Sequence, residues 1–277
     1  MGTEAPPSGS VTGSVIGLVA GDGRLPFALA RAARAEGHRV VAVGHVGVTD
    51  PLLEAEVDVL SWVKIGQLKK MAAAFREQNV SRAVFAGGLA KGGALRNARP
   101  DLEMVKLWAG LRHKGDDALL KAIASWFDRH GISIVEPGGL LRECFAEKGL
   151  IAGPKPVPAD LEEVARGVDL CRALGKLDIG QTVALREGMV LAVEAMEGTD
   201  ACIARAGEIL ERAVVVKMLK PGQDRRFDLP TIGPRTIEVL SEAKARLLAV
   251  EAGSTLVLER EELGRLARKG RVSVIGV

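Results

Sequence analysis

The feature that most restricts the fold is a repeated alternation of short apolar runs with stretches of helical spacing. Residues 14–20 form an apolar run that stops at Gly21-Asp22-Gly23. Residues 25–36 are Ala-rich and helical in pattern, closed by Gly37, and residues 39–43 are a second apolar run. Helical spacing returns over 64–78, a third run at 82–86 ends on Gly87-Gly88, and helical stretches at 101–112 and 116–129 precede a strand at 132–135. Runs this apolar suit strands covered on both faces, and strands alternating with helices build a parallel sheet. The expected fold class is α/β, with a Rossmann-like parallel-sheet domain over residues 14–152 behind a Gly-, Ser- and Pro-rich tail at 1–13.

Pro154, Pro156 and Pro158 mark a change of character, and proline at that density makes a stiff, extended connector. Residues 153–158 are therefore expected to link the first domain to a second, compact mixed α/β domain at 159–277 that carries the catalysis. Its expected elements are a helix over 160–174, a hairpin of strands 182–186 and 189–194 turning at Glu187-Gly188, and a helix over 200–210. A strand at 213–218, a helix at 234–246, a strand near 255–258, a helix at 260–269 and a strand at 272–275 complete it.

Composition narrows the function. Aromatic residues are 3% of the 277 and tyrosine is absent, so the stacking rings of a nucleic-acid surface are missing, and no nucleic-acid partner is expected. A formal net charge of +3 is far from a DNA-binding footprint. No apolar run reaches the roughly 18 residues of a membrane span, and the N-terminal residues lack the charged and apolar regions of a secretory signal. A cytoplasmic protein is expected, with any membrane contact peripheral. The three cysteines, at 144, 171 and 202, lack metal-knuckle spacing, and His38, His45, His113 and His130 show no ligand spacing.

Two glycine-rich turns follow strands of the first domain. Gly21 and Asp22 close the first strand, and Gly87, Gly88 and Lys91 lie in G-G-L-A-K-G-G after the third. Strand ends on a parallel sheet share one edge, where backbone N–H groups and an ammonium suit an anion. A turn serving only the fold is the competing reading. The spacing is not G-x-G-x-x-G, and Val43-Gly44-His45 lacks the acidic residue that would hold an adenosine ribose. A nicotinamide-dependent oxidoreductase is thereby disfavoured.

The second domain holds the richer constellation. Glu194, Glu197 and Asp200 cluster where an apolar strand ends; they suit a hard cation such as Mg²⁺, or form a solvated loop in which Thr199 or Asp200 caps a helix. Lys217 sits in an apolar strand that runs into K-P-G-Q-D-R-R-F-D-L-P-T-I-G at 220–233. Cleaving a pyrophosphate needs a carboxylate to hold metal or water and cations to take up phosphoryl charge, and this segment has both. Phe227, Leu229 and Ile232 interleave with its charges, as in a loop docked on the protein.

G-L-V-A-G-D-G-R-L-P near the start, G-G-L-A-K, D-I-G-Q-T-V at 178–183, E-G-T-D at 197–200 and the 220–233 segment run in order along the chain. Together they resemble the LpxI family of UDP-2,3-diacylglucosamine pyrophosphatases. The resemblance implies Mg²⁺-dependent hydrolysis of UDP-2,3-diacylglucosamine to 2,3-diacylglucosamine 1-phosphate and UMP in lipid A biosynthesis. It also implies a cytoplasmic homodimer touching the inner membrane peripherally. Carried onto this sequence, Asp224 is the catalytic carboxylate, and Asp224, Glu197 and Asp228 are the metal candidates. Lys217 and Arg226 neutralise phosphate, while Gln181, Thr182, Gly198, Thr199 and Thr231 join the glycine turns in holding substrate. A non-catalytic carrier of a nucleotide-linked lipid is the alternative. The helical stretch at 101–112 is apolar over more than one stripe and is either a slot for acyl chains or a helix buried on two sides.

Overall fold

In the computed structural model, which describes residues 14–88, 98–111, 116–227 and 229–277, the chain divides into two units, residues 1–140 and 141–277. The first alternates β1 (Val15–Ala20), α1 (Leu25–Ala35), β2 (Arg39–His45), β3 (Val59–Val63), α2 (Leu68–Glu77) and β4 (Arg82–Ala86), followed by α3 (Leu102–Gly110), α4 (Asp116–Arg129) and β5 (Ser133–Ile134). The strands pair in parallel in the order β3-β2-β1-β4-β5. That order reverses direction beside β1, and all strand ends lie on one edge, as the Rossmann-like reading requires. Valines 40, 41 and 43 of β2 are buried, and Phe75 of α2 and Phe127 of α4 are fully enclosed, with ring centroids 6.4 Å apart.

The expected helix at 64–78 begins at Leu68 instead, because β3 precedes it. That strand is at the sheet edge with Trp62 exposed, so it lacks the unbroken apolar run of an internal strand.

The second unit contains β6 (Gly149–Ala152), α5 (Pro158–Lys176), β7 (Thr182–Arg186), β8 (Met189–Val193), α6 (Thr199–Ile209), β9 (Val214–Lys217), β10 (Thr231–Ile232), α7 (Pro234–Glu242), β11 (Leu247–Val250), β12 (Leu256–Val257), α8 (Arg260–Gly270) and β13 (Ser273–Gly276). Its main sheet has the order β6-β13-β11-β9-β7-β8. Strands β9, β11 and β13 run parallel to one another; β6, β7 and β8 are joined by antiparallel pairings. Alternation of side chains separates two cores. Val183, Leu185, Val214 and Val216 pack with Val164 and Cys171 of α5. Ala184, Ala192, Val215 and Leu248 pack with Cys202, Ile203, Ile237, Leu240 and Leu263 of α6, α7 and α8. Two-residue strands β10 and β12 pair in parallel beside this sheet.

Two expectations change here. Residues 149–152 lie within the second unit, because β6 pairs with β13, Ala152 opposite Val274. The Pro-rich segment follows that strand and delivers Pro158 to the first turn of α5, where a missing N–H does no harm. It is a strand-to-helix connection inside the unit, and the division between units falls earlier, after Leu140. The other change is β11, a fully buried strand internal to the sheet, in the interval between the expected helix at 234–246 and the expected strand near 255–258. The helix stops at Glu242, and Lys244, at φ +50°, turns the chain into the strand.

Candidate active site

In the first unit the two glycine turns lie against each other. The Gly21 N–H donates to the Ala86 carbonyl and the Asp22 N–H to the Gly88 carbonyl, each at 2.7 Å. Gly87 has φ +83°, and a Cβ there would stand 2.2 Å from the Asp22 carbonyl oxygen. These glycines permit backbone to pack on backbone at the switch point. The N–H groups of Gly21 and Asp22 are engaged within the protein, and the Asp22 carboxylate accepts from the Gly23 N–H at 2.8 Å. The phosphate role read from this turn therefore cannot use those two donors. Lys91 lies outside the described residues. Beside the turns, buried His45 places Nδ1 3.0 Å from the Ala20 carbonyl, which also accepts from the Thr49 hydroxyl at 2.6 Å. A carbonyl only accepts, so Nδ1 carries the proton in this contact. Burial lowers the His45 pKa. An open hollow of about 590 Å³ adjoins this loop, lined by Val46, Thr49, Pro51 and Trp62 among others.

In the second unit, the pleat brings three polar side chains to one face of the sheet. Thr182 at the start of β7 pairs with Lys217 at the end of β9, and the Glu194 N–H, just past β8, donates to the Thr182 carbonyl at 2.9 Å. All three are buried, Thr182 to 1% exposure and Glu194 and Lys217 to 7% each. They continue the rows of Ala184, Ala192 and Val215, so they face α6 and α7 where those helices begin. The Thr199 hydroxyl, in the first turn of α6, donates to Glu194 Oε1 at 3.0 Å and lies 3.5 Å from the Thr182 hydroxyl. Lys217 Nζ donates to the Thr231 carbonyl at 3.3 Å. The Thr231 hydroxyl turns to its own loop, donating to the Leu229 carbonyl at 2.9 Å. Gly198, at φ +85°, and Gly233 precede the two helices, and Arg235 reaches Asp200 at 3.9 Å, joining their first turns. Two helix N-termini beside a buried ammonium make a setting for anionic oxygens.

Gln181 Oε1 and Glu194 Oε2 are buried at this end of the sheet without a hydrogen-bond partner. The Gln181 carbonyl accepts from Met218 at 2.9 Å, which fixes the residue where β7 meets the 218–230 loop.

Asp224 and Arg226 form a pair of their own on that loop. Arg226 Nε lies 3.0 Å from Asp224 Oδ1 and Nη2 2.8 Å from Oδ2, and the Arg226 N–H also donates to Oδ1 at 3.1 Å. Buried Leu229 and Ile232 anchor the segment, as expected of a docked loop. Asp228 lies outside the described residues.

Glu197 does not join the buried group. Arg205 donates to its Oε1 at 2.7 Å and the Ala195 N–H to its Oε2 at 3.1 Å. Backbone N–H groups, its own first, and the Arg205 guanidinium hold its carboxyl below the ordinary carboxylate range. The acid of this segment that turns inward is Glu194. The available sequence signal was alternation: 192 and 194 share a face, and Ala192 is buried. Among the described residues no group of three or more His, Cys, Asp or Glu side chains is arranged around a metal position. Burial pushes the Cys171 and Cys202 thiols up to about 12, far from a nucleophilic thiolate.

Comparison with known proteins accords with both halves. Residues 15–144 match the family described as LpxI N-terminal domain, and residues 147–275 match LpxI C-terminal domain. UDP-2,3-diacylglucosamine pyrophosphatase LpxI of Caulobacter vibrioides is 33% identical over 274 residues, covering 95% of this chain and 97% of that protein. Among solved structures, the biotin carboxylase domain of Hydrogenobacter thermophilus 2-oxoglutarate carboxylase aligns with 63% of this chain and 35% of its own, at 12% identity and TM-score 0.29. Phosphoribosylglycinamide synthetase from Anaerococcus prevotii aligns with 73% of this chain and 44% of its own, at 9% identity and TM-score 0.27. Those two likenesses are too slight to establish a common fold.

Proposed function

The chain belongs to the LpxI family, and on that premise we propose that it hydrolyses the pyrophosphate bond of UDP-2,3-diacylglucosamine, giving 2,3-diacylglucosamine 1-phosphate and UMP. The observation that carries this reading is the end-to-end match to a relative of that name, at 33% identity. The second unit supports it with the parts that phosphoryl chemistry uses: a buried ammonium at Lys217, a guanidinium at Arg226, two helix N-termini and carboxylates at Asp224 and Glu194.

The reaction is proposed to depend on Mg²⁺. The donor chemistry fits a hard cation at Glu194, whose Oε2 is a buried carboxylate oxygen with no hydrogen-bond partner; both Asp224 oxygens are already engaged by Arg226. A bound Mg²⁺ would polarise the phosphoryl oxygens and draw negative charge from the scissile anhydride. The chain's own groups would do the rest. Asp224 orients the attacking water and receives its proton, with Arg226 fixing the carboxylate through its fork of hydrogen bonds. Lys217 takes up charge on the phosphate, and Gln181, Thr182 and Thr199 orient the substrate by hydrogen bonding. Of the acids read from the sequence, Glu197 is held by Arg205 and is left to loop closure.

A homodimer working at the inner face of the membrane completes the proposal. Among the described residues no helix is long and apolar enough to cross a membrane, so contact with the lipid would be peripheral.

The test is release of UMP and the lipid monophosphate from UDP-2,3-diacylglucosamine with Mg²⁺, followed by mass spectrometry. Wild type is expected to turn over. Asp224→Ala, and Asp224→Asn which leaves an acceptor for Arg226, are expected to lose turnover about a thousandfold or more while still binding substrate. An inactive wild type would overturn the function, and an active Asp224→Asn would overturn the role of Asp224.

A further inference from the structure

We propose that Glu194, rather than Glu197, is the carboxylate of the 194–200 segment that binds a divalent cation. The proposal rests on the metal-dependent reading above and names the residue that serves it. Glu194 is 7% exposed, its Oε1 accepts from the Thr199 hydroxyl, and its Oε2 is enclosed without a hydrogen-bond donor. A buried carboxylate oxygen left unpaired is costly, and a ligand from outside the chain is one way to complete it.

The neighbourhood says what that something is. The Thr199 hydroxyl holds one oxygen of the carboxylate and lies 3.5 Å from the Thr182 hydroxyl, and the chain supplies no second carboxylate of this segment to the same spot. Mg²⁺ commonly takes one or two protein carboxylates and fills its shell with water and phosphate oxygens. Lys217 and the starts of α6 and α7 suit that phosphate. Glu194 would then hold the cation on one side while the phosphate oxygens held it on the other. Glu197 has no such room: both oxygens are taken, by Arg205 at 2.7 Å and the Ala195 N–H at 3.1 Å, so binding a cation there breaks an ion pair first.

Glu194→Gln keeps the shape and an acceptor for Thr199 and removes only the charge; Glu197→Gln is the matched control. The probe is Mn²⁺, followed by the electron paramagnetic resonance signal of the free ion with UMP present and no turnover. Glu194→Gln is expected to weaken Mn²⁺ binding at least tenfold, and Glu197→Gln by less than twofold. Unchanged binding in Glu194→Gln, equal losses in both variants, or a wild type that binds no Mn²⁺ would each overturn the proposal. A carboxylate that merely braced α6 would shift the urea midpoint of Glu194→Gln and leave Mn²⁺ binding alone, which also overturns it. If Glu194→Gln does not fold, Glu194→Asp decides: it keeps the charge on a shorter arm, and Mn²⁺ binding as tight as wild type would count against the site. UMP release by wild type is scored separately. Its absence defeats the proposed reaction, while selective Mn²⁺ loss in Glu194→Gln still supports the cation site.

Discussion

Replacing Lys217 by methionine keeps the length of the side chain and deletes its charge. The residue is 7% exposed at the end of β9, so its aliphatic stem is already in apolar company and methionine fits the same course. Its electrostatic contribution follows from burial. Two unit charges about 4 Å apart at an effective dielectric of about 20 interact by about 4 kcal/mol. At about 1.4 kcal/mol per factor of ten, that corresponds to roughly a thousandfold in rate if the whole interaction developed in the transition state. The pyrophosphate is anionic before it reacts, so part of the loss will appear in KM, and kcat/KM is expected to fall by about 100- to 1000-fold. The Thr231 carbonyl loses a donor, a cost of about 1 kcal/mol that methionine burial partly offsets. Steady-state UMP release should collapse in a variant that still folds. A variant folded like wild type with kcat/KM within threefold would refute the reasoning that places Lys217 against phosphate.

Gly87→Ala sets a Cβ 2.2 Å from the Asp22 carbonyl oxygen at a residue with φ +83°, so the first unit should lose about 2 kcal/mol or more, read as a lower urea midpoint. His45 gives a pH dependence. Its native pKa is lowered by burial from 6.5, so the unfolded chain takes up a proton first as pH falls. Stability should be full above about 6.5 and decline toward the lowered native pKa, by at most about 1.4 kcal/mol per pH unit. Urea unfolding at pH 7.5 and 5.5 should show a smaller difference in His45→Gln than in wild type; equal differences would show that His45 does not carry this dependence.

The parts of the fold legible in the sequence are those whose signals are local. Strands β1 and β4 are apolar runs ended by glycine, and α4 and α8 keep helical spacing to their ends. Strand β11 was hidden because Leu247–Val250 is four apolar residues close behind a helix, and only pairing with β9 and β13 distinguishes it from a continued apolar stripe. Strand β6 was hidden because its partner is β13, at the far end of the unit's sequence. The same limit applies to the site. Lys217 stood out as a cation in an apolar strand, and Asp224 with Arg226 as close opposite charges, but their forked pairing is a property of loop conformation. Choosing between Glu194 and Glu197 needed the pleat, which turns one inward, and Arg205 on α6, which captures the other.

The position of β13 between β6 and β11 bears on how the protein is made. A chain leaving the ribosome can assemble much of the first sheet from neighbouring βαβ segments as they appear. The second sheet has no such option, because the four residues Ser273–Gly276 separate its first strand from the rest. Until they emerge, Gly149–Ala152 has no strand beside it and β11 presents an open edge of N–H and carbonyl groups. Truncations that remove Ser273–Gly276 should therefore act on solubility during synthesis before they act on chemistry.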